Sequence, residues 1–529
     1  MANFHPIDIG SRLELLVDEH LVAQLSGAAE LRLHKPVLRE IALTTDQPWE
    51  GNACGSFTIF QDGDRYRMYY LGRHFVTTAT GLDEKPRPPF VCYAESTDGI
   101  HWVRPELGLV EFNGSKKNNI ILNTLDTSIP SSAFAPFKDS NPEAIPEVQY
   151  KAWGNGFPRP DGSTPRPGHS SEVPNGLYAL KSADGIHWTP MRDEPVIQDG
   201  LLDSQNVAFW DAVRGEYRDY HRNEFRSDKT GEEPYAAHAA HGGDAVRGSR
   251  YGRDLRTTTS SDFINWSAPE YVNYTRGRVD EIYNNSIEPY FRAPHIFVGL
   301  PTRYIDRGWS EAMYDLPELE HRQLRAQADE RYGSALTDGM FMSSRDGQTF
   351  DLWPESFIRP GLRPQDNWVY GDNFPSWGMV TTPSSLAGAP DELSIYATEG
   401  YWRGDSTHLR RYTLRLDGFV SLQAPLSGGE LITKPLVFSG SQLRLNFSAS
   451  AAGSLRVEVL RDQINEPVEG LALADCVEVL GDDLERVVRW SGGSDVSRLA
   501  GIPVRLRFVL KDADLFSFRF GDSALDKAK

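Results

Sequence analysis

The chain has 529 residues and a formal charge of -19, with 12 Trp, 25 Phe and 21 Tyr beside 46 Gly and 34 Pro. That length exceeds what one core usually holds, and the aromatic and turn-forming content favours short strands over helical bundles. The acidic surplus speaks against nucleic acid and anionic membrane as partners, because phosphates require a concentrated positive surface, and favours a neutral or cationic ligand.

Cys54, Cys92 and Cys476 form no disulfide framework or metal knuckle and read as small buried hydrophobes. The N-terminus carries no basic stretch ahead of an apolar core, and no apolar run reaches the roughly 18 residues of a membrane span. A cytoplasmic protein is expected, and self-association is left open.

In chain order, the first strand-like segment is Lys35-Pro36-Val37-Leu38, which resembles Glu194-Pro195-Val196-Ile197 further on. A repeated unit follows. Strands at 56–60 and 66–70 precede the turn Ser96-Thr97-Asp98-Gly99-Ile100-His101-Trp102, with a fourth strand at 109–112. The second unit has strands at 134–137 and 150–153, the turn Ser182-Ala183-Asp184-Gly185-Ile186-His187-Trp188, and a fourth strand at 194–197. The third has 207–210, 216–220 and Ser260-Ser261-Asp262-Phe263-Ile264-Asn265-Trp266. The fourth has 287–291, 295–300, a helix at 317–331 in a long loop, and Ser344-Arg345-Asp346-Gly347-Gln348-Thr349-Phe350. The fifth has 377–381, 393–397 and a degenerate Leu416-Asp417-Gly418-Phe419.

The turn aspartates lie 86, 78, 84 and 71 residues apart, the period of a four-stranded propeller blade. Asp binds backbone amides, Gly takes positive φ, and the aromatic plugs between sheets. These aspartates therefore read as scaffold. The fifth unit lacks a fourth strand, so 35–38 is expected to supply it and close the ring, which removes exposed edges.

Beyond this, Leu443-Arg444-Leu445-Asn446-Phe447, Leu455-Arg456-Val457-Glu458-Val459 and Val504-Arg505-Leu506-Arg507-Phe508 alternate with period two, as sandwich strands do. The expected division is an all-β chain: a five-bladed β-propeller over 1–427, a C-terminal β-sandwich over 428–523 reached through a linker at 424–430, and a polar tail at 524–529.

In an antiparallel blade the start of the first strand, the end of the second and the start of the third share one face. That face carries Glu50, Asn52, Arg73 and His74 in unit one, and Asp203, Asn206, His221 and Arg222 in unit three. Unit four contributes Glu281, Asn285, Arg303 and Asp338, and unit five Asp372, Glu399 and Tyr401, with Trp368 nearby. Carboxylates, amides, arginines and aromatics together suit a sugar. Glu50, Asp203, Asp338, Asp372 and Glu399 form the candidate pool for the acid and base of glycosidic cleavage, and the remaining residues would bind substrate. Each acid also has a structural reading: turn caps for Glu50, Asp203 and Asp338, mutual orientation or pairing with Arg403 for Asp372 and Glu399. His238 and His241 have helical spacing but a loop-like context, so no metal and no cofactor is expected.

With Tyr-Ala-Glu-Ser-Thr-Asp-Gly-Ile-His-Trp at 93–102 and its four relatives, the chain resembles the five-bladed glycoside hydrolases of the fructosidase and arabinosidase type, families 32, 43 and 117. The resemblance implies a base or nucleophile in blade one, matched by Glu50, and an acid in blade three, matched by Asp203. It departs from the pattern in lacking the Trp-x-Asn-Asp-Pro-Asn, Arg-Asp-Pro and Glu-Cys motifs. Asp139, the nearest blade-two acid, follows its strand and should face the opposite side. The expected function is a glycosidase acting on an oligo- or polysaccharide. The alternatives are a phosphate-dependent glycoside phosphorylase and a non-catalytic carbohydrate-binding propeller.

Overall fold

The computed structural model describes residues 5–78, 81–83, 87–124, 126, 128–156, 176–200, 202–224, 253–276, 281–365, 367–462 and 465–522. His238, His241 and the 524–529 tail lie outside them. The protein is all-β, with sheets in a propeller-like arrangement.

Sheet I is a meander of Gly55–Asp62, Arg65–Gly72, Phe90–Ser96 and Ile120–Asn123. Sheet II joins Ser132–Lys138, Tyr150–Gly156, Gly176–Ser182 and Thr189–Pro190, and sheet III joins Val207–Asp211, Glu216–Glu224, Arg253–Ser260 and Glu270–Tyr271. Sheet IV is larger, seven strands built around Ile287–Tyr290, Ala293–Gly299, Ala335–Ser344 and Thr349–Ile358. Sheet V is Val380–Thr382, Glu392–Glu399 and His408–Arg415, completed by Val37–Thr44 from the N-terminus. The strand anticipated at 35–38 thus lies on the expected edge. In sheet I the fourth strand is Ile120–Asn123 rather than 109–112, where the chain makes only a local bridge between Phe112 and Ser115.

The repeated turn latches one sheet to the next. Asp98 Oδ1 accepts the amides of Ile100 and His101 at 2.8 Å, and Asp184 repeats the pattern at 2.8 and 2.9 Å. Burial opposes ionisation there, but the His rings and these amides hold both carboxyls well below the usual range. Gly185 and Gly347 turn their carbonyls to the hydroxyls of Tyr69 in sheet I and Tyr220 in sheet III, at 3.0 and 2.7 Å. Gly99 does the same with Tyr396 of sheet V, tying the first sheet to the last. In the third copy Phe263 takes the glycine position at φ 68. Its strain is offset by core packing, because the ring is fully buried and stacks on Trp153 of sheet II at 4.5 Å.

The fifth copy has a different task. Asp417 is buried, accepts Tyr290 Oη and Arg292 Nε at 2.8 Å, and accepts Ser517 Oγ at 2.8 Å and Asn446 Nδ2 at 3.1 Å. It pins sheet IV to the C-terminal sheet.

That last sheet has ten strands, dominated by Gln442–Arg461 and Val504–Gly521, around one apolar core that includes Leu445, Val457, Phe508 and Phe518. The N-terminal segments Ile7–Gly10, Glu14–Leu15, Val22–Gly27 and Glu30–Leu33 pair within it, as does Val420–Ala424. Residues 424–430 connect two of its strands tightly instead of forming a free linker. The helix anticipated at 317–331 is shorter, Leu319–Ala326, followed by Arg331–Ser334. Its buried Arg322 and Arg325 donate to backbone carbonyls of Met313 and Tyr370, so it braces the Tyr370 segment, which lines the cavity described next.

Candidate functional site

A cavity of about 480 Å³ opens where the inner strands begin. Gly55, Ser56 and Phe57 of sheet I, Ser132 and Ala133 of sheet II, Ser204 and Gln205 before sheet III, Asn284 before sheet IV and Phe374, Pro375 and Ser376 before sheet V all line it. Side chains at these starts are mostly small and polar, and the backbone is bent: Ser56, Ala133 and Ser286 take φ of 52, 47 and 43°. Such left-handed conformations in non-glycine residues cost energy and cluster at functional sites. Above these starts stands an aromatic wall of Phe75, Tyr283, Tyr332, Tyr370, Tyr401 and Trp402.

Asp203, Arg73 and Tyr401, three of the residues anticipated from sequence, line the cavity. Asp203 is the one carboxylate among the described lining residues; its side chain is 64% exposed and paired with Arg222. Arg222 lies behind it, buried, with its guanidinium 4.8 Å from the Tyr283 ring. Glu281 is likewise set back, paired with Arg253 at 2.5 Å.

The other anticipated acids are held elsewhere. Glu50 is fully buried, bound to Arg104 at 2.7 and 3.0 Å, to the Gln47 amide and to Tyr70. Asp338 forms a two-pronged pair with Arg303 across neighbouring strands, at 2.8 and 2.5 Å. Asp372 is buried behind Tyr401, whose amide it accepts at 2.9 Å; burial pushes its carboxyl well up despite that amide and Arg325. Glu399 is buried against Arg410, Gln365 and Tyr412 rather than Arg403. The structure therefore does not bring these four together with Asp203. None of the four lines the cavity, and each finds the cation or amide donor that a carboxylate withdrawn from water needs.

Several anticipated binding residues turn out to brace the backbone. Asn52 clamps Phe75 and Gly404, Asn206 receives the Arg222 amide at 3.0 Å, Asn285 donates to the Tyr220 carbonyl at 3.1 Å, and Trp368 donates to the Gly361 carbonyl at 2.8 Å. His74 packs beside Gly51, and His221 is buried, its Nδ1 2.5 Å from Asp219, which also accepts Trp153 Nε1 at 2.7 Å. Cys54 lines the cavity, but burial, reinforced by Glu50, pushes its thiol up to about 12.

The central group was not anticipated. Tyr283 accepts the Tyr370 hydroxyl at 2.7 Å and sits between Arg222 and Arg253, whose guanidiniums lie 4.8 and 4.9 Å from its ring. Burial alone would raise its phenol, but Arg222, Arg253 and Arg331 pull it down to about 7. Its position in Asp-Glu-Ile-Tyr-Asn-Asn is unremarkable in sequence; only the three arginines, from three distant segments, make it ionisable near neutrality.

No protein-family model and no curated protein matches the chain. Among solved structures, one described as a glycoside hydrolase is 11% identical, over 71% of this chain and 92% of its own, with a TM-score of 0.40. An N-acetylgalactosamine deacetylase from F. plautii, in complex with blood group B trisaccharide, is 14% identical over 73% and 96%, with a TM-score of 0.40. The endo-arabinase from Bacteroides thetaiotaomicron VPI-5482 is 8% identical over 71% and 98%, with a TM-score of 0.35.

Proposed function

We propose that this chain is a glycosidase whose substrate sugar occupies the cavity, on a five-bladed propeller in which sheet IV is the fourth blade and the ten-stranded sheet forms the appended sandwich. The observation that carries the reading is that Asp203 and Tyr283, both lining the cavity, contact one guanidinium, that of Arg222, in a cavity with an aromatic wall. Aromatic faces suit the C–H face of a pyranose or furanose, and a few polar groups among them set orientation.

Asp203, ion-paired and open to solvent, serves as the base that takes a proton from water. The water oxygen bonds to the anomeric carbon as the bond from that carbon to the glycosidic oxygen breaks. Tyr283, a phenol that ionises near pH 7, gives its proton to the departing oxygen; an acid is most effective when its pKa lies near the working pH. This replaces the pair of carboxylates expected from sequence with one carboxylate and one phenol.

The test is a panel of oligosaccharides analysed for released sugar, followed by Asp203→Asn and Tyr283→Phe on whichever substrate is cleaved. Each substitution should lower kcat about 100-fold or more. Retention of full turnover by both variants would refute the assignment, and binding without cleavage across the panel would favour a non-catalytic role.

A further inference from the structure

Resting on that reading of the cavity, we propose that it selects a sugar bearing a carboxylate, and that Arg73 and Arg331 are the residues that recognise it. Both line the cavity. Arg73 donates to the Ala53 carbonyl at 3.4 Å and to the Tyr401 hydroxyl at 3.3 Å, and pairs with no carboxylate among the described residues. A guanidinium has five donors in a planar fork, and the two long contacts of Arg73 to neutral oxygens use only two of them. Arg331 has Asp329 at 2.8 Å, but that carboxylate is 45% exposed and does not line the cavity.

Charge counting points the same way. Four guanidiniums, Arg73, Arg222, Arg253 and Arg331, line the cavity or face the Tyr283 phenol. Three carboxylates pair with them: Asp203, Glu281 and Asp329. Among the described residues Arg73 is the one of the four with no carboxylate partner, in a chain whose net charge is -19. Net charge describes the whole surface, whereas a recessed site with apolar walls focuses the field of its own residues. The acidity of Tyr283 is the effect of three of these same arginines, Arg222, Arg253 and Arg331. An arginine fork binds a carboxylate through two parallel hydrogen bonds, which a neutral hydroxymethyl group at the same carbon cannot reproduce.

The experiment compares matched oligosaccharides ending in galacturonate or galactose, and in glucuronate or glucose, by calorimetric binding and by turnover on the full chain. The acidic member of a pair should bind at least about tenfold tighter, and Arg73→Met and Arg331→Met should each collapse that preference. Thermal melting of both variants checks that they remain folded, and Arg73→Lys should restore part of the preference if Arg73→Met does not fold. Equal binding of acidic and neutral members overturns this proposal while leaving the cavity a sugar site. Failure of every sugar to bind or be cleaved sinks the function proposed above. Turnover that requires added inorganic phosphate would assign the arginines to a co-substrate and also overturn the proposal.

Discussion

At the residue scale, the behaviour of Tyr283 is the most direct consequence of the arginine cluster. Its phenol ionises near pH 7 instead of 10, so a tyrosinate absorbance step centred near pH 7 is expected in the folded protein and should vanish in Tyr283→Phe. Between pH 7 and 10 the folded state has released a proton that the unfolded chain retains. Stability from this residue therefore grows with pH across that window and is lost as pH falls through about 7. As the proposed acid, Tyr283 must be protonated, so turnover should decline above pH 7. Gly371 is the second residue with a sharp requirement. It has φ +99, and a Cβ there would lie 1.9 Å from Cδ1 of Tyr401. Gly371→Ala should cost about 1–2 kcal/mol in backbone strain, measured by urea unfolding, and weaken sugar binding by displacing the Tyr401 ring from the wall.

At the scale of the element, the Asp-Gly turn is both a local structure and a joint. Its carboxylate satisfies two amides within its own loop, while its glycine carbonyl receives a tyrosine hydroxyl from another sheet. Asp184→Ala removes the first of these functions. About 1 kcal/mol of stability should be lost, visible as a lower urea midpoint, with turnover unchanged because the turn lies away from the cavity-lining residues. The depressed carboxyl of Asp184 contributes stability at neutral pH that disappears only as pH falls below the ordinary aspartate range, so wild type and variant should converge in acid. A variant as stable as wild type at pH 7 would contradict the latch.

At the scale of the whole molecule, the N-terminal segment holds the two bodies together. It runs through the ten-stranded sheet and then closes sheet V. Between those roles, fully buried Glu14 accepts Arg345 of sheet IV at 2.7 Å, and Arg345 also binds Asp18 at 2.8 Å. Arg345→Met would strip Asp18 of its cation and leave buried Glu14 with Arg12 and His295 alone, and should cost about 3 kcal/mol. Because strands from both chain ends share one sheet, calorimetry should show a single unfolding transition, lowered as a whole in this variant; two separable transitions would count against such coupling. The sequence by itself determined the all-β class, the turn-punctuated period and the edge that Val37–Thr44 occupies, because turn chemistry and strand alternation are local and repeat along the chain. It also identified which end of each strand faces the cavity, and so reached Asp203, Arg73 and Tyr401. Only the tertiary structure decided which side chains are spent on neighbours. Glu50 and Glu399 find Arg104 and Arg410, and Tyr283 gains its acidity from Arg222, Arg253 and Arg331. Pairing and electric field depend on distances between segments remote in the chain, and no local pattern carries them.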